Sequence, residues 1–247
     1  MSYLIIGSSS GLGRELAYTF GKYKNDLILV SRDKRDLEAI KSDLGQKFVT
    51  NVKILELDFS SLESIKEKLL SKKEILSNLK GVMFPIGLMF EDDNLDLDTD
   101  KASKILNANY LSIGFMINQL KEYYIDKDFL IVGFGSVSGI LGRNLNNFYA
   151  AAKRSLESHF ESLAFKSINT KLKIHFYTLG YLDTNLAFGK KLHLPKGKVK
   201  SLSELVYKNR GKKIVKRFYP NFWGLISLFL KLIPFSIILK FKNFLKN

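Results

Sequence analysis

Tyr3-Leu4-Ile5-Ile6-Gly7-Ser8-Ser9-Ser10-Gly11-Leu12-Gly13 decides the fold. A short apolar run ends at a glycine, three serines follow, and two more glycines open a stretch with helical spacing, Leu12–Phe20. Such a run reads as a buried strand, and the stretch after it as an amphipathic helix. Without side chains at 7, 11 and 13 the backbone can turn sharply and set the helix N-terminus against a pyrophosphate, whose charge the unpaired N–H groups and helix dipole stabilise. Ser8, Ser9 and Ser10 add hydroxyl donors. A nucleotide-hydrolase loop would carry Lys-Ser or Lys-Thr after its last glycine, but Arg14-Glu15 stands there. Gly7, Ser9, Ser10, Gly11, Leu12 and Gly13 are therefore candidate dinucleotide-binding residues.

Further apolar runs predict strands over Leu27–Ser31, Val52–Leu57, Gly81–Pro85, Asp128–Phe134, Lys173–Thr178 and Lys213–Phe218. Helical spacing predicts helices over Arg35–Leu44, Leu62–Leu76, Lys101–Tyr123 and Phe148–Phe165. Strict alternation gives an α/β fold: a doubly wound, Rossmann-type parallel sheet with its ligand at the strands' carboxyl ends. The 247 residues suit one such domain. We assign residues 1–219 to the dinucleotide-binding catalytic domain and 220–247 to an apolar, basic, helical tail rather than a second domain.

The absence of cysteine excludes disulfides, thiolate zinc sites and Cys nucleophiles. His159, His175 and His193 show no ligand spacing, so no metal is expected. Met1 leads straight into the first strand without a basic segment and long apolar stretch, which predicts no secretory signal and a cytoplasmic location. The net charge of +15 is uneven: residues 190–247 hold fifteen Lys and Arg against one acid, Glu204, and residues 1–189 hold 24 against 23. That asymmetry points the tail at a polyanion or an anionic membrane.

Tyr149 and Lys153 lie four residues apart in Tyr-Ala-Ala-Ala-Lys, on one face of a helix. A free Tyr, with a pKa of about 10, is a poor proton exchanger near neutrality, and a neighbouring cation corrects this by favouring the phenolate. Together with the Gly-x-x-x-Gly-x-Gly spacing, this pair resembles the short-chain dehydrogenase/reductase family over residues 3 to about 219. The resemblance implies roles for other residues. Asp58, ending the third strand, matches the adenine-contacting acid. Asn109 in Asn-Ala-Asn-Tyr-Leu matches the catalytic Asn, which would seat a proton-relaying water. Ser136, thirteen residues before Tyr149, matches the catalytic Ser, with Ser138 the less favoured neighbour. Gly180 and Thr184 resemble the segment that holds the nicotinamide amide. Two departures bear on cofactor fit: Phe84-Pro85-Ile86-Gly87 replaces Asn-Asn-Ala-Gly, with Gly87 kept as a cofactor position, and Leu179 replaces a Pro.

The expected reaction interconverts a ketone and a secondary alcohol by hydride transfer. Tyr149 supplies the proton, Lys153 lowers its pKa and holds the nicotinamide ribose, and Ser136 bonds the substrate oxygen. At the end of the second strand the acid slot that favours NAD falls on Ser31, and Arg32 follows, so NADP(H) is expected; Asp33 is the competing acid. The acidic run Glu91–Asp100 lacks calcium-loop spacing and reads as a solvated loop ending in a helix cap at Asp98 or Thr99.

In the tail, Phe222–Leu239 is interrupted by Lys231 and Pro234, which argues against a straight span. It predicts two short helices breaking at Pro234, lying either in an anionic membrane interface or across the pocket or a subunit interface. In the membrane arrangement Trp223, Phe229, Phe235 and Phe241 insert, and Lys240, Lys242 and Lys246 approach head groups on the inner face. Tyr219-Pro220 and Leu232-Ile233-Pro234 resemble family members acting on lipids, steroids or lipid-linked sugars, so the substrate is expected to be a lipid, a lipid-linked sugar or another carbohydrate. A homodimer or homotetramer is also implied. The reading of another class is a catalytically idle dinucleotide-binding scaffold on a membrane; loss of Ser136, Tyr149 or Lys153 would have favoured it. Nucleic-acid binding is not expected, because the tail's basic residues are interleaved with long aliphatics.

Overall fold

The computed structural model describes residues 1–94, 96–142, 145–184 and 195–240. Seven strands form one parallel sheet: β1 Ser2–Ile6, β2 Leu27–Ser31, β3 Val52–Glu56, β4 Leu79–Phe84, β5 Phe129–Ser136, β6 Leu172–Leu179 and β7 Ile214–Tyr219. Their order is β3-β2-β1-β4-β5-β6-β7. The chain fills one side of the sheet, then crosses from β3 over to β4, so the carboxyl ends of β1 and β4 flank the switch point where such sheets bind ligands.

The apolar strands are continuous runs because both faces are covered. Leu4, Ile6, Ile28 and Val30 point to one face, packing with Ile113, Met116, Ile117, Leu120, Leu156 and Phe160. Tyr3, Ile5, Leu27 and Leu29 point to the other, against Leu16, Phe20, Leu37, Ile40, Leu202 and Val206. The first set of helices includes α6 (Ser112–Tyr124) and α7 (Asn147–Ser167); the second comprises α1 (Gly11–Lys22), α2 (Lys34–Phe48) and α8 (Val199–Asn209).

Two stretches expected as single helices are interrupted. Leu62–Leu76 becomes α3 (Leu62–Ile65), a π turn over Lys66–Leu70 and α4 (Lys73–Ser77). Lys101–Tyr123 becomes α5 (Thr99–Leu106), a π turn over Asn107–Leu111 and α6. In the second case the cause is local: the Asn109 side-chain amide donates to the Ile105 carbonyl at 2.9 Å, taking the acceptor an α-helical amide would use.

The acidic run is not the solvated loop expected of it throughout. Asp98 does cap α5, accepting from the Lys101 amide at 2.8 Å, but Asp93 is buried. The tail forms α9 (Phe222–Leu232) and α10 (Phe235–Lys240), separated around Pro234. Among the described residues no helix is long and apolar enough to cross a membrane. Trp223 does not take the outward place of the membrane arrangement: its indole lies against Gly180 and Tyr181, so at this residue the tail packs on the pocket wall, as in the alternative arrangement. Phe241, Lys242 and Lys246, like residues 185–194 with His193, lie outside the described residues.

Candidate active site

The turn after β1 brings strand and helix to contact distance. Gly7 sits at φ +87°, a region that disfavours a side chain. A Cβ on Gly13 would lie 2.0 Å from the Gly7 carbonyl oxygen, so α1 approaches the strand end only because that atom is missing. The buried Ser8 hydroxyl donates to the Val30 carbonyl at 3.2 Å, fastening the turn to β2. Of the three serines it is therefore a scaffold donor, and Ser9 and Ser10 face the cleft.

That cleft, about 860 Å³, opens at the carboxyl ends of the strands. Gly7, Ser9, Ser10, Gly11, Leu12, Arg32, Asp58, Gly87, Ser136, Tyr149, Lys153, Gly180 and Thr184 all line it. Gly13 and Asn109 do not; they stand behind the wall and shape it. Thr184 closes over the turn, since a Cβ on Gly11 would meet its Cγ2 at 3.5 Å. Asp58 holds the Ser60 amide and hydroxyl at 2.9 and 2.7 Å. Asp33 also lines the cleft, but its carboxylate caps α2 by accepting from the Asp36 amide at 3.1 Å. Ser31 and the exposed Arg32 therefore mark the end of β2. A long cleft with a side-chain-free turn and helix terminus at one end and hydroxyl and ammonium donors at the other fits a dinucleotide.

At the inner end, β5 delivers Ser136, whose Oγ accepts from the Ser138 amide at 3.1 Å and leaves its own proton to donate. Helix α7 carries Tyr149 and Lys153 on one face, with Nζ 5.8 Å from the centre of the Tyr149 ring. Lys153 is buried and donates to the carbonyls of Ile86 at 3.0 Å and Phe134 at 3.1 Å. At the departure Pro85-Ile86-Gly87, then, it is a main-chain oxygen that makes the contact to Lys153. Asn109, fully buried in the π turn, donates to the carbonyls of Leu88 at 2.7 Å and Ile105 at 2.9 Å and accepts from the Leu88 amide at 3.2 Å. Both of its donor hydrogens are thereby taken. Its side chain fixes the loop after β4.

Sequence reasoning missed two participants. Asp93 joins that loop to α7, and Trp223 backs Gly180; neither has a local signal, because both act across long sequence separations.

The model of the family described as short chain dehydrogenase matches residues 2–193. The chain belongs to the short-chain dehydrogenase/reductase family. It is 30% identical over 189 residues to an Anopheles gambiae protein named dehydrogenase/reductase SDR family protein 7-like, a match covering 74% of this chain and 60% of the relative. It is 26% identical over 231 residues to a Xenopus laevis protein named hydroxysteroid 11-beta-dehydrogenase 1-like protein B, covering 90% of this chain and 78% of that one. Among solved structures, a short-chain dehydrogenase from Sphingobium yanoikuyae in complex with NADPH superposes with a TM-score of 0.77 at 18% identity, covering 94% of this chain and 96% of the other.

Burial dominates the electrostatics of Lys153, pushing its pKa from 10.5 down to about 7. Between those values the unfolded chain binds a proton that the folded one has released, so this group's contribution favours folding more as pH rises through the window and less as pH falls. Lys153→Met removes the group at similar volume. The stability deficit of the unaltered protein relative to this variant should shrink from pH 7 to 10, by at most about 1.4 kcal/mol per pH unit. Urea unfolding of both proteins across that range checks it; a constant difference would mean that the ammonium is solvated.

Proposed function

We propose that the chain is an NADP(H)-dependent oxidoreductase that interconverts a ketone and a secondary alcohol, with Tyr149 as proton donor and acceptor. The observation carrying this reading is the convergence of Ser136, Tyr149 and the buried Lys153 at the inner end of the cleft. When bound, the nicotinamide supplies or accepts the hydride. Ser136 orients the substrate oxygen and Tyr149 protonates it as charge develops. Lys153 lowers the cost of the phenolate and returns the proton. With both hydrogens of the Asn109 side-chain amide spent on Leu88 and Ile105, that amide has none left to donate to a relay water.

NADP(H) over NAD(H) is supported by Ser31 in the acid slot, by Arg32 at the cleft and by the engagement of Asp33 with its own helix. Neighbouring structures from Sphingobium yanoikuyae and Burkholderia cenocepacia carry NADPH and NADP. The substrate we favour is an apolar, lipid-like ketone rather than a carbohydrate, because Leu88, Met89, Leu145 and Tyr181 line the cleft. Relatives with hydroxysteroid dehydrogenase and very-long-chain 3-oxoacyl-CoA reductase in their names fit that choice.

The tail supports peripheral membrane binding. Trp223, Ser227 and Ile238 are buried, while Leu225, Leu228, Phe229, Leu232, Phe235 and Leu239 are each more than half exposed. Lys231 and Lys240 are exposed on the same two helices. Apolar residues inserting at the interface, with lysines near anionic lipid worth about 1 kcal/mol each, suit a cytoplasmic protein resting on the inner face of a membrane.

Three measurements test these readings. Tyr149→Phe should lower turnover across a panel of aryl, alkyl and steroid ketones by at least a hundredfold with NADPH binding retained; near-normal turnover removes the mechanism. Arg32→Ala should raise the NADPH dissociation constant at least tenfold and leave NADH within twofold, since only NADPH carries the 2′-phosphate a guanidinium can bind bidentately. Equal effects reverse the cofactor assignment. Co-sedimentation with phosphatidylserine vesicles should require residues 220–247 and weaken with salt. If removing the tail instead dissociates a dimer or tetramer, the tail is a subunit-packing element.

A further inference from the structure

The first turn of a helix leaves its amides without partners, and a side chain at the preceding residue ordinarily satisfies one of them. Helix α7, which carries Tyr149 and Lys153, does not use that device. Asn146, the residue before it, is left-handed at φ 59° and makes no side-chain cap. One residue from the loop after β4 takes over the whole terminus. Asp93 is 1% exposed. Its Oδ1 accepts from the Phe148 amide and its Oδ2 from the Tyr149 amide, both at 3.0 Å. Its carbonyl accepts from Asn146 at 2.5 Å and Asn147 at 3.4 Å. Four consecutive amides therefore end on a single residue, and a buried carboxylate is kept by charge-assisted bonds and the positive end of a helix.

We propose that Asp93 is a positioning residue for proton transfer, fixing Tyr149 by clamping the amides at the start of α7. The proposal rests on the reading of Tyr149 as proton donor. Two connections separate it from an ordinary helix cap. The clamp includes the amide of Tyr149 itself, so it sets where that residue's backbone lies. Moreover, the short segment from Ile86 to Asp93 touches the rest of the set: the Ile86 carbonyl receives Lys153, and both main-chain groups of Leu88 pair with Asn109. Asp92 pairs with Lys101 at 2.5 Å, which ties the segment to α5 on its other side. Asp93 thereby sets Tyr149 in register with the segment that already holds Asn109 and Lys153. Small displacements matter, because a shift of about 1 Å in an acid–base group can cost a hundredfold in rate.

The test compares full-length Asp93→Asn and Asp93→Ala, alone and with Tyr149→Phe. The assay uses whichever ketone of the panel the unaltered protein reduces fastest, with active sites counted by NADPH titration. Asn preserves shape and one acceptor, so Asp93→Asn carries the test if the Ala variant does not fold. Positioning predicts kcat per NADPH site at least tenfold lower in Asp93→Asn, with KM and the NADPH dissociation constant within twofold. It also predicts no further loss when the change is added to Tyr149→Phe, followed by slow single-turnover NADPH oxidation. Unchanged kcat per site makes Asp93 a stabilising cap only, and an equal loss in the Tyr149→Phe background means that it acts elsewhere; either overturns the proposal. If no ketone is reduced, the functional reading fails by itself, and amide hydrogen exchange still judges Asp93. Phe148 and Tyr149 exchanging at least tenfold faster in Asp93→Asn, with β5 unaffected, supports the clamp; unaltered exchange refutes it.

Discussion

Everything in the cleft depends on how closely α1 can approach the end of β1. The start of the helix rests on the Gly7 carbonyl at a distance that leaves no room for a single carbon on Gly13. Because the sheet is close-packed on both faces, that contact fixes the height of α1 above β1 and, through Leu12 and Leu16, the layer it shares with α2 and α8. Anything larger at position 13 would lift the helix terminus away from the end of the cleft. The shape of the turn and the packing of the core are one geometric condition here.

The opposite end of the cleft is governed by desolvation. Lys153 is removed from water and donates to two main-chain carbonyls, so its charge is maintained at a cost set by burial. A lysine poised near neutrality can exchange a proton that a solvated one would keep. The loop from Ile86 to Asp93 makes that environment possible. It is irregular, and it is tied at Lys153, Asn109 and the start of α7 by hydrogen bonds, with no ladder of its own.

The legible part of this molecule is the part written in local patterns. The central strands could be read because strands buried on both faces are unbroken apolar runs, the edge strands β3 and β7 from shorter apolar stretches broken by Lys53, Lys216 and Arg217, and Tyr149 and Lys153 because a helix repeats every 3.6 residues. Helix α8 escaped notice although Val199, Leu202 and Val206 have helical spacing, since lysines surround them and the carboxylate that caps its first amide, Asp183, lies sixteen residues earlier. Asp93 looked like one more solvated acid because its partners, Phe148 and Tyr149, lie 55 and 56 residues onward. Trp223 looked like a membrane anchor because nothing beside it in sequence announces that Gly180 leaves a space for an indole. Pairings across such separations leave no periodic trace.

The π turn over Asn107–Leu111 has a consequence for how this chain can change. A π turn holds one residue more than an α turn, so deleting a residue between Leu106 and Ser112 would let α5 and α6 join as one regular helix. Taken alone, that segment would gain regularity. Because the π turn already winds its extra residue into a single turn, the residues beyond the deletion would keep their phase, and Ile113, Met116 and Ile117 would stay in the core they fill. Local helix preference would discard the extra residue, and what would go with it is the placement of the Asn109 side chain against Leu88. A one-residue deletion there should therefore leave the core face of α6 in place while loosening the loop after β4 that Asn109 holds.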